Sequence, residues 1–357
     1  MNLTEFRKLV APKVIAANWT EAVSNRLPYM GETLFPSKQK AGLDLKWIKG
    51  YKGLPVSLMP SAFDAKATFR DRVGVKMTET EMPFFREGFK IKESDRQEIL
   101  RIQEKNDPYM NDALNRVFDD AGNLLEGALV VAEREIMQLV FAEGGDVGIS
   151  IKANGVDYTY NYDPNGEWKS TNYFTVESDY TWDKPNAADP LDDIRKAQDA
   201  IAAKGGKGVI IAMNSTTFKL FRSIKAIKDL YLTTNGLAVG YLTDAQITAA
   251  LKDALGLTGI IVYDKQYKDE SGNTHKFVPD YYVAVLPDGQ LGNTWRGTTP
   301  EEADLMGSGQ GDVAIVNNGI AITQIVDPHP VNINTFASEI VLPSYERMDE
   351  VALIKVK

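Results

Sequence analysis

The residue types able to do chemistry are few and scattered. There is no cysteine, which excludes thiol catalysis, disulfide staples and cysteine-ligated zinc. The two histidines, His275 in NTHKF and His329 in DPHPV, each stand beside a turn and lack metal-site spacing. The stretch Gly307-Ser308-Gly309-Gln310-Gly311 has the glycine content of a phosphate cradle. A phosphate site needs a helix N-terminus behind its loop, and residues 311–316 read as a strand. Gly205-Gly206-Lys207 lacks the rest of the P-loop pattern. Asp119-Asp120 and Asp192-Asp193 do not follow calcium-loop spacing, and the second pair fits the negative charge favoured at a helix start. With 49 acidic residues, chance carboxylate pairs abound, and nothing selects one for hydrolysis. No catalytic residue, cofactor or metal is expected.

Composition points the same way. The chain has 357 residues, enough for two or three compact units, with 43% hydrophobic and 25% charged residues, as in folded soluble proteins. A net charge of −9 argues against a nucleic-acid binder that works by neutralising phosphates. No apolar run approaches the about 20 residues that cross a bilayer, so no membrane contact is expected. The first 15 residues, MNLTEFRKLVAPKVI, lack the apolar block of a signal peptide.

What the chain does display is scaffolding. Residues 108–143 read as one long amphipathic helix, with Leu114, Phe118, Ala121, Leu125, Leu129, Ala132, Ile136 and Val140 recurring at helical spacing. Pro108 suits its first turn and Gly144-Gly145 its end. Asp119-Asp120-Ala121-Gly122-Asn123 is the one place where it could kink or break into two helices. Residues 1–35 read as a short helix and an irregular arm whose Trp19, Leu27, Tyr29 and Phe35 need a surface, this subunit's or a neighbour's. Residues 41–92 read as short strands broken by Gly and Pro, a two-stranded excursion with its tip near 60–72. It carries Trp47, Tyr51, Leu58, Met59, Phe63, Phe69, Phe84 and Phe85. An isolated hairpin is marginal in water, and burying each such side chain stabilises by about 1.5–3 kcal/mol, so a second surface is expected to cover them.

Residues 93–104 read as a polar helix with Ser94 and Gln97 as capping box. Residues 149–162 read as a hairpin turning at Asn154-Gly155. From 189 to 268 helices and strands alternate as in an α/β unit, with Asp189-Pro190, Asn214 or Ser215, and Thr243 opening helices. A hairpin around Ser271-Gly272-Asn273 follows, and the tail is β-rich, expected to return to the long helix.

Residues 209–230, VIIAMNSTTFKLFRSIKAIKDL, resemble the lambda-type E family of tailed-bacteriophage major capsid proteins: an apolar strand, a polar link, then an aromatic followed by LFRS-x-KA-[IV]-K. The segment 261–279 is similar to that family's strand, Q-Y, hairpin and F-[LV]-P elements. Residues 291–297 carry its G-N-T and R-G elements, and 327–356 resemble its closing strands. The matches run in order over most of 190–357; the N-terminal half agrees in layout only. The resemblance implies an α+β chain with the Hong Kong 97-type capsid fold. Its parts would be an N-terminal arm (1–40), an extended E-loop (41–92), a P-domain (93–188) with a spine helix at 108–143, an α/β A-domain (189–315), and strands 316–357 returning to the P-domain.

The resemblance further implies self-association into hexamers and pentamers that close an icosahedral shell around double-stranded DNA, which the chain touches only weakly and non-specifically. Expected partners are a separate scaffolding protein, a portal and a decoration protein; assembly would take place in the host bacterial cytoplasm. The eight E-loop residues named above become the expected subunit interface. Lys46, Lys49 and Lys52, with Asn317, Asn318 or Asn332, supply the residue types of the Lys–Asn crosslinks of chain-mail relatives, which the lambda-type branch is not expected to form. Two other classes stand beside this reading. One is a minor head or tail structural protein. The other is a carboxylate-dependent hydrolase using the Tyr/Trp-rich segment 158–182 as a sugar platform.

Overall fold

The computed structural model describes residues 3–24, 27–48, 77–93, 109–153, 155–235 and 242–357. In chain order these form helices α1 (Leu3–Leu9), α2 (Pro12–Ser24) and α3 (Met30–Leu34), then strands β1 (Ser37–Lys40), β2 (Asp44–Ile48), β3 (Met77–Glu81) and β4 (Phe84–Ile91). The long helix α4 (Tyr109–Val140), hairpin strands β5 (Gly148–Ala153) and β6 (Val156–Asn161), helix α5 (Glu167–Asn172) and strand β7 (Tyr173–Thr175) follow. Next come α6 (Pro190–Ala203), β8 (Ile210–Met213), α7 (Ser215–Ser223), α8 (Lys225–Asn235), α9 (Asp244–Leu255), β9 (Gly259–Val262), β10 (Gln266–Lys268) and β11 (Thr274–Lys276). The chain closes with β12 (Tyr282–Leu286), β13 (Asn293–Gly297), β14 (Asp312–Val316), β15 (Ile320–Pro328), β16 (Val331–Ser344) and β17 (Ala352–Lys355). The expected helix at 93–104 and the excursion's tip at 60–72 fall outside the described residues, apart from Glu93.

The chain divides into two compact units and crosses between them several times, once within α4 at Arg134–Glu135. α4 is unbroken through Asp119–Asn123. Burial decides this: Ala121 and Leu125 lie at 2% and 0% exposure on the same stripe as Leu129, Ala132 and Ile136. A break there would expose part of that stripe, whereas Gly122 in a helix interior costs only about 1 kcal/mol. The helix ends before Gly144 and Gly145, both at positive φ, as their sequence predicts.

The first unit holds a six-stranded sheet ordered β1-β13-β16-β15-β14, with β4 also on β16. β16 is its organiser. It pairs antiparallel with β15 from Ala321↔Ser338 to Pro328↔Val331, with β4 from Ile333↔Ile91 to Ile340↔Phe84, and with β13 from Val341↔Arg296 to Ser344↔Asn293. β1 joins β13 in parallel. Residues 1–35 differ from the irregular arm expected. They form three helices, and α2 packs against β14 and β15 with Ile15 and Trp19 buried. Gln324 Nε2 donates to the Val10 carbonyl at 3.0 Å. Trp19, Tyr29 and Phe35 therefore find cover in their own subunit, while Leu27 is exposed.

The second unit holds a five-stranded sheet, β7-β17-β12-β8-β9. Its core joins Ile194, Ala197 and Ile201 of α6, Phe218 and Phe221 of α7, and Ile247 and Leu251 of α9 to Ile211, Val283, Val285 and Ile354 of the strands. Helix starts follow their sequence signals: the side chains of Asp189 and Asn214 accept from Asp192 N–H and Thr217 N–H, and Thr243 with Gln246 forms a capping box. β13 and β14, expected in the 189–315 unit, are bonded into the six-stranded sheet. β17 lies between β7, which falls in the expected P-domain span 93–188, and β12. Backbone pairing fixes β17: it runs antiparallel to β12 from Tyr282↔Lys355 to Val285↔Ala352, and β12 is buried and must pair on both edges.

Candidate functional site

The residues with the greatest interaction potential lie on the excursion at 41–92. β2 and β3 pair only with each other among the described residues. The Met82 N–H donates to the Leu43 carbonyl at 2.9 Å, closing the ladder's base. Trp47 sits in β2; Tyr51, Leu58, Met59, Phe63 and Phe69 lie outside the described residues. Phe84 and Phe85 belong to β4 and so to the six-stranded sheet, opposite Ile340 and Glu339. Both are half-buried, and the Arg86 guanidinium lies 4.7 Å from the centre of the Phe84 ring. The free ladder is thus shorter than the 41–92 span, because β4 finds a ladder on β16.

Around this root is a set of buried ionic groups that the sequence reading did not single out. Arg296 of β13, 3% exposed, pairs through Nη1 with Glu339 Oε2 of β16, 1% exposed. Arg296 Nε donates to Ser37 Oγ of β1 at 3.2 Å. Arg86 pairs with Glu301, and Ser338 Oγ donates to the other Glu301 oxygen at 2.9 Å. Burial pushes the Glu339 carboxyl up to about 7 against the opposing pull of Arg296. The available signal was a lone acid inside the apolar run 336–342, FASEIVL, and a lone arginine in NTWRG.

The groups with apparent chemical potential are spent on structure. His275 Nε2 lies 2.8 Å from Asp269 and its ring stacks 5.5 Å from Tyr267 on an exposed hairpin. His329 stands in the exposed β15–β16 turn. The loop 307–311 leads into β14, without a following helix. Of the supposed sugar platform, Trp168 and Trp182 are interior, at most 1% exposed, while Tyr180 is exposed. Trp168 Nε1 donates to the Met348 and Val351 carbonyls, and Trp182 Nε1 to Asp193. Among the described residues no group of three or more His, Asp or Glu could hold a metal ion.

The two sheets, the long helix and the paired excursion make up a mixed α+β chain of the Hong Kong 97 capsid type. The likeness to solved structures extends over nearly the whole chain. A putative capsid protein of a prophage from E. coli CFT073 matches with a TM-score of 0.62 and 15% identity, covering 97% of this chain and 99% of that one. A phage-related protein from Bordetella bronchiseptica RB50 matches with a TM-score of 0.56 and 15% identity, covering 97% and 96%. The cyanophage A-1(L) capsid subunit matches with a TM-score of 0.50 and 13% identity, covering 92% and 91%. A search of curated proteins finds no match. The family model described as phage major capsid protein E matches residues 14–356, and the chain belongs to that family. It is a major capsid protein of a tailed phage, a structural subunit that self-assembles into the capsid lattice of the head shell, and not an enzyme.

Proposed function

We propose that the chain builds the shell as hexamers and pentamers, with the E-loop residues Trp47, Tyr51, Leu58, Met59, Phe63, Phe69, Phe84 and Phe85 as the contact onto a neighbouring copy. One observation carries this reading: β2 and β3 pair with each other and with no other strand among the described residues. Two strands alone are marginal in water, and the segment between them is rich in large apolar side chains. A second copy supplies the missing cover, and closure by symmetry multiplies a modest contact over the shell. Within this scheme the arm (1–40), E-loop (41–92), P-domain (93–188) and A-domain (189–315) keep their proposed roles. A separate scaffolding protein, a portal and a decoration protein complete the proposed partners, and the enclosed double-stranded DNA meets an acidic protein through weak, non-specific contacts.

Phe63→Asp and Met59→Asp test the interface. Each is expected to leave the far-UV circular dichroism and melting of the unassembled subunit unchanged while abolishing closed shells, seen by electron microscopy with scaffold supplied. Wild-type numbers of closed shells from both variants would contradict the assignment.

A further inference from the structure

Two strands flank the β2–β3 ladder of the E-loop, β1 before it and β4 after it. β1 bonds one member of a buried ion pair through Ser37, and β4 lies in backbone register beside the other. Arg296 reaches Ser37 of β1 and Glu339 of β16, and Glu339 stands opposite Phe85 of β4. The second oxygen of Glu339, Oε1, is buried without a donor among the described residues. The packing leaves little slack. A Cβ on Gly319 would come within 2.8 Å of Arg296 Cβ, and one on Gly297 within 2.7 Å of Ile340. A carboxylate that is dry, half-satisfied and wedged between strands favours any arrangement that hydrates it.

We propose that the Arg296–Glu339 pair is a pH-responsive joint that holds both root strands of the E-loop to the sheet at mildly acidic pH and loosens them as pH rises through neutrality. The charged groups on the neighbouring strands are accounted for. β13 contributes Arg296. β4 contributes Arg86, which is paired with Glu301, together with Glu87 and Lys90, both exposed. β1 contributes Lys38, which lies over the Trp295 ring, and Lys40, which bonds the Asp44 carbonyl. β15 contributes Asp327, bonded to Asn334 at the far end of the ladder. Arg296 is the one charged partner of Glu339 among the described residues. Burial holds the carboxyl near 7 rather than its ordinary 4.5, so a proton bound there stabilises the closed joint and its loss on going alkaline favours the open one. The effect on assembly rests on the E-loop reading given above; the joint itself does not.

Hydrogen–deuterium exchange of the unassembled full chain, corrected for intrinsic exchange, tests this on peptides spanning 37–45 and 82–91, with 282–286 as reference. From 4.5 and about 7, the opening equilibrium of both root peptides should rise about tenfold between pH 6 and pH 8, with the reference unchanged. Glu339→Gln should abolish that rise. Ser37→Ala should loosen 37–45 at both pH values and keep the rise. A pH-independent wild type, or a Glu339→Gln protein that keeps the response, would overturn the proposal. Should Glu339→Gln fail to fold, the Glu339 carboxyl carbon resonance in the wild type decides: a midpoint near 7 supports the joint, and one in the ordinary carboxylate range overturns it.

Discussion

Asn214 shows how much one side chain holds in this protein. Fully buried, it caps α7 through Thr217 N–H at 2.8 Å, accepts from Thr217 Oγ1, and donates Nδ2 to the Val278 carbonyl and to Asp280. Asn214→Ala removes the cap and leaves buried partners unsatisfied, at a cost of about 2–4 kcal/mol. A melting scan of the unassembled subunit should show a drop of several degrees; an unchanged transition would mean that water replaces the amide. The capping half of this role was legible in the sequence as an Asn before an aromatic helix. The link to Val278 and Asp280, more than sixty residues away, was not, because no local pattern encodes a tertiary hydrogen bond. Glu339 was missed for a related reason: strand periodicity assigns a face, and the pairing that makes a buried acid tolerable comes from a different strand.

At the scale of elements, α4 was readable almost to its ends because burial and local propensity agree along it. Gly122 is the exception, and an ideal Cβ placed there meets nothing within 4 Å. Gly122→Ala should therefore stabilise the subunit by about 0.5–1 kcal/mol through lost unfolded-state entropy, raising its melting temperature in the same scan. A fall would mean that the helix at Asp119–Asn123 is less regular than its burial pattern implies. α2 was missed although Ile15 and Trp19 stand four apart, because the strands that bury them, β14 and β15, come from the far end of the chain. β17 was recognised as a strand, but not with its partners. Alternating Ala352, Ile354 and Val356 identifies a ladder member but carries no information on which ladder, and the neighbour turned out to be β12.

At the scale of the whole molecule, the long scaffold helix was visible in periodicity. The capsid assignment came from ordered motif resemblance in the C-terminal half. The family match over residues 14–356 extends it to nearly the whole chain. What composition could not encode is where the excursion stops: β4 joins β16, so Phe84 and Phe85 serve the sheet as well as the proposed contact. The account depends on this subunit being incomplete alone and complete in a closed lattice. Electron microscopy of the purified chain, with scaffolding protein supplied, measures that directly. Closed isometric shells with resolved hexamers and pentamers are the predicted result, and a protein that stays monomeric at high concentration under the same conditions would contradict it.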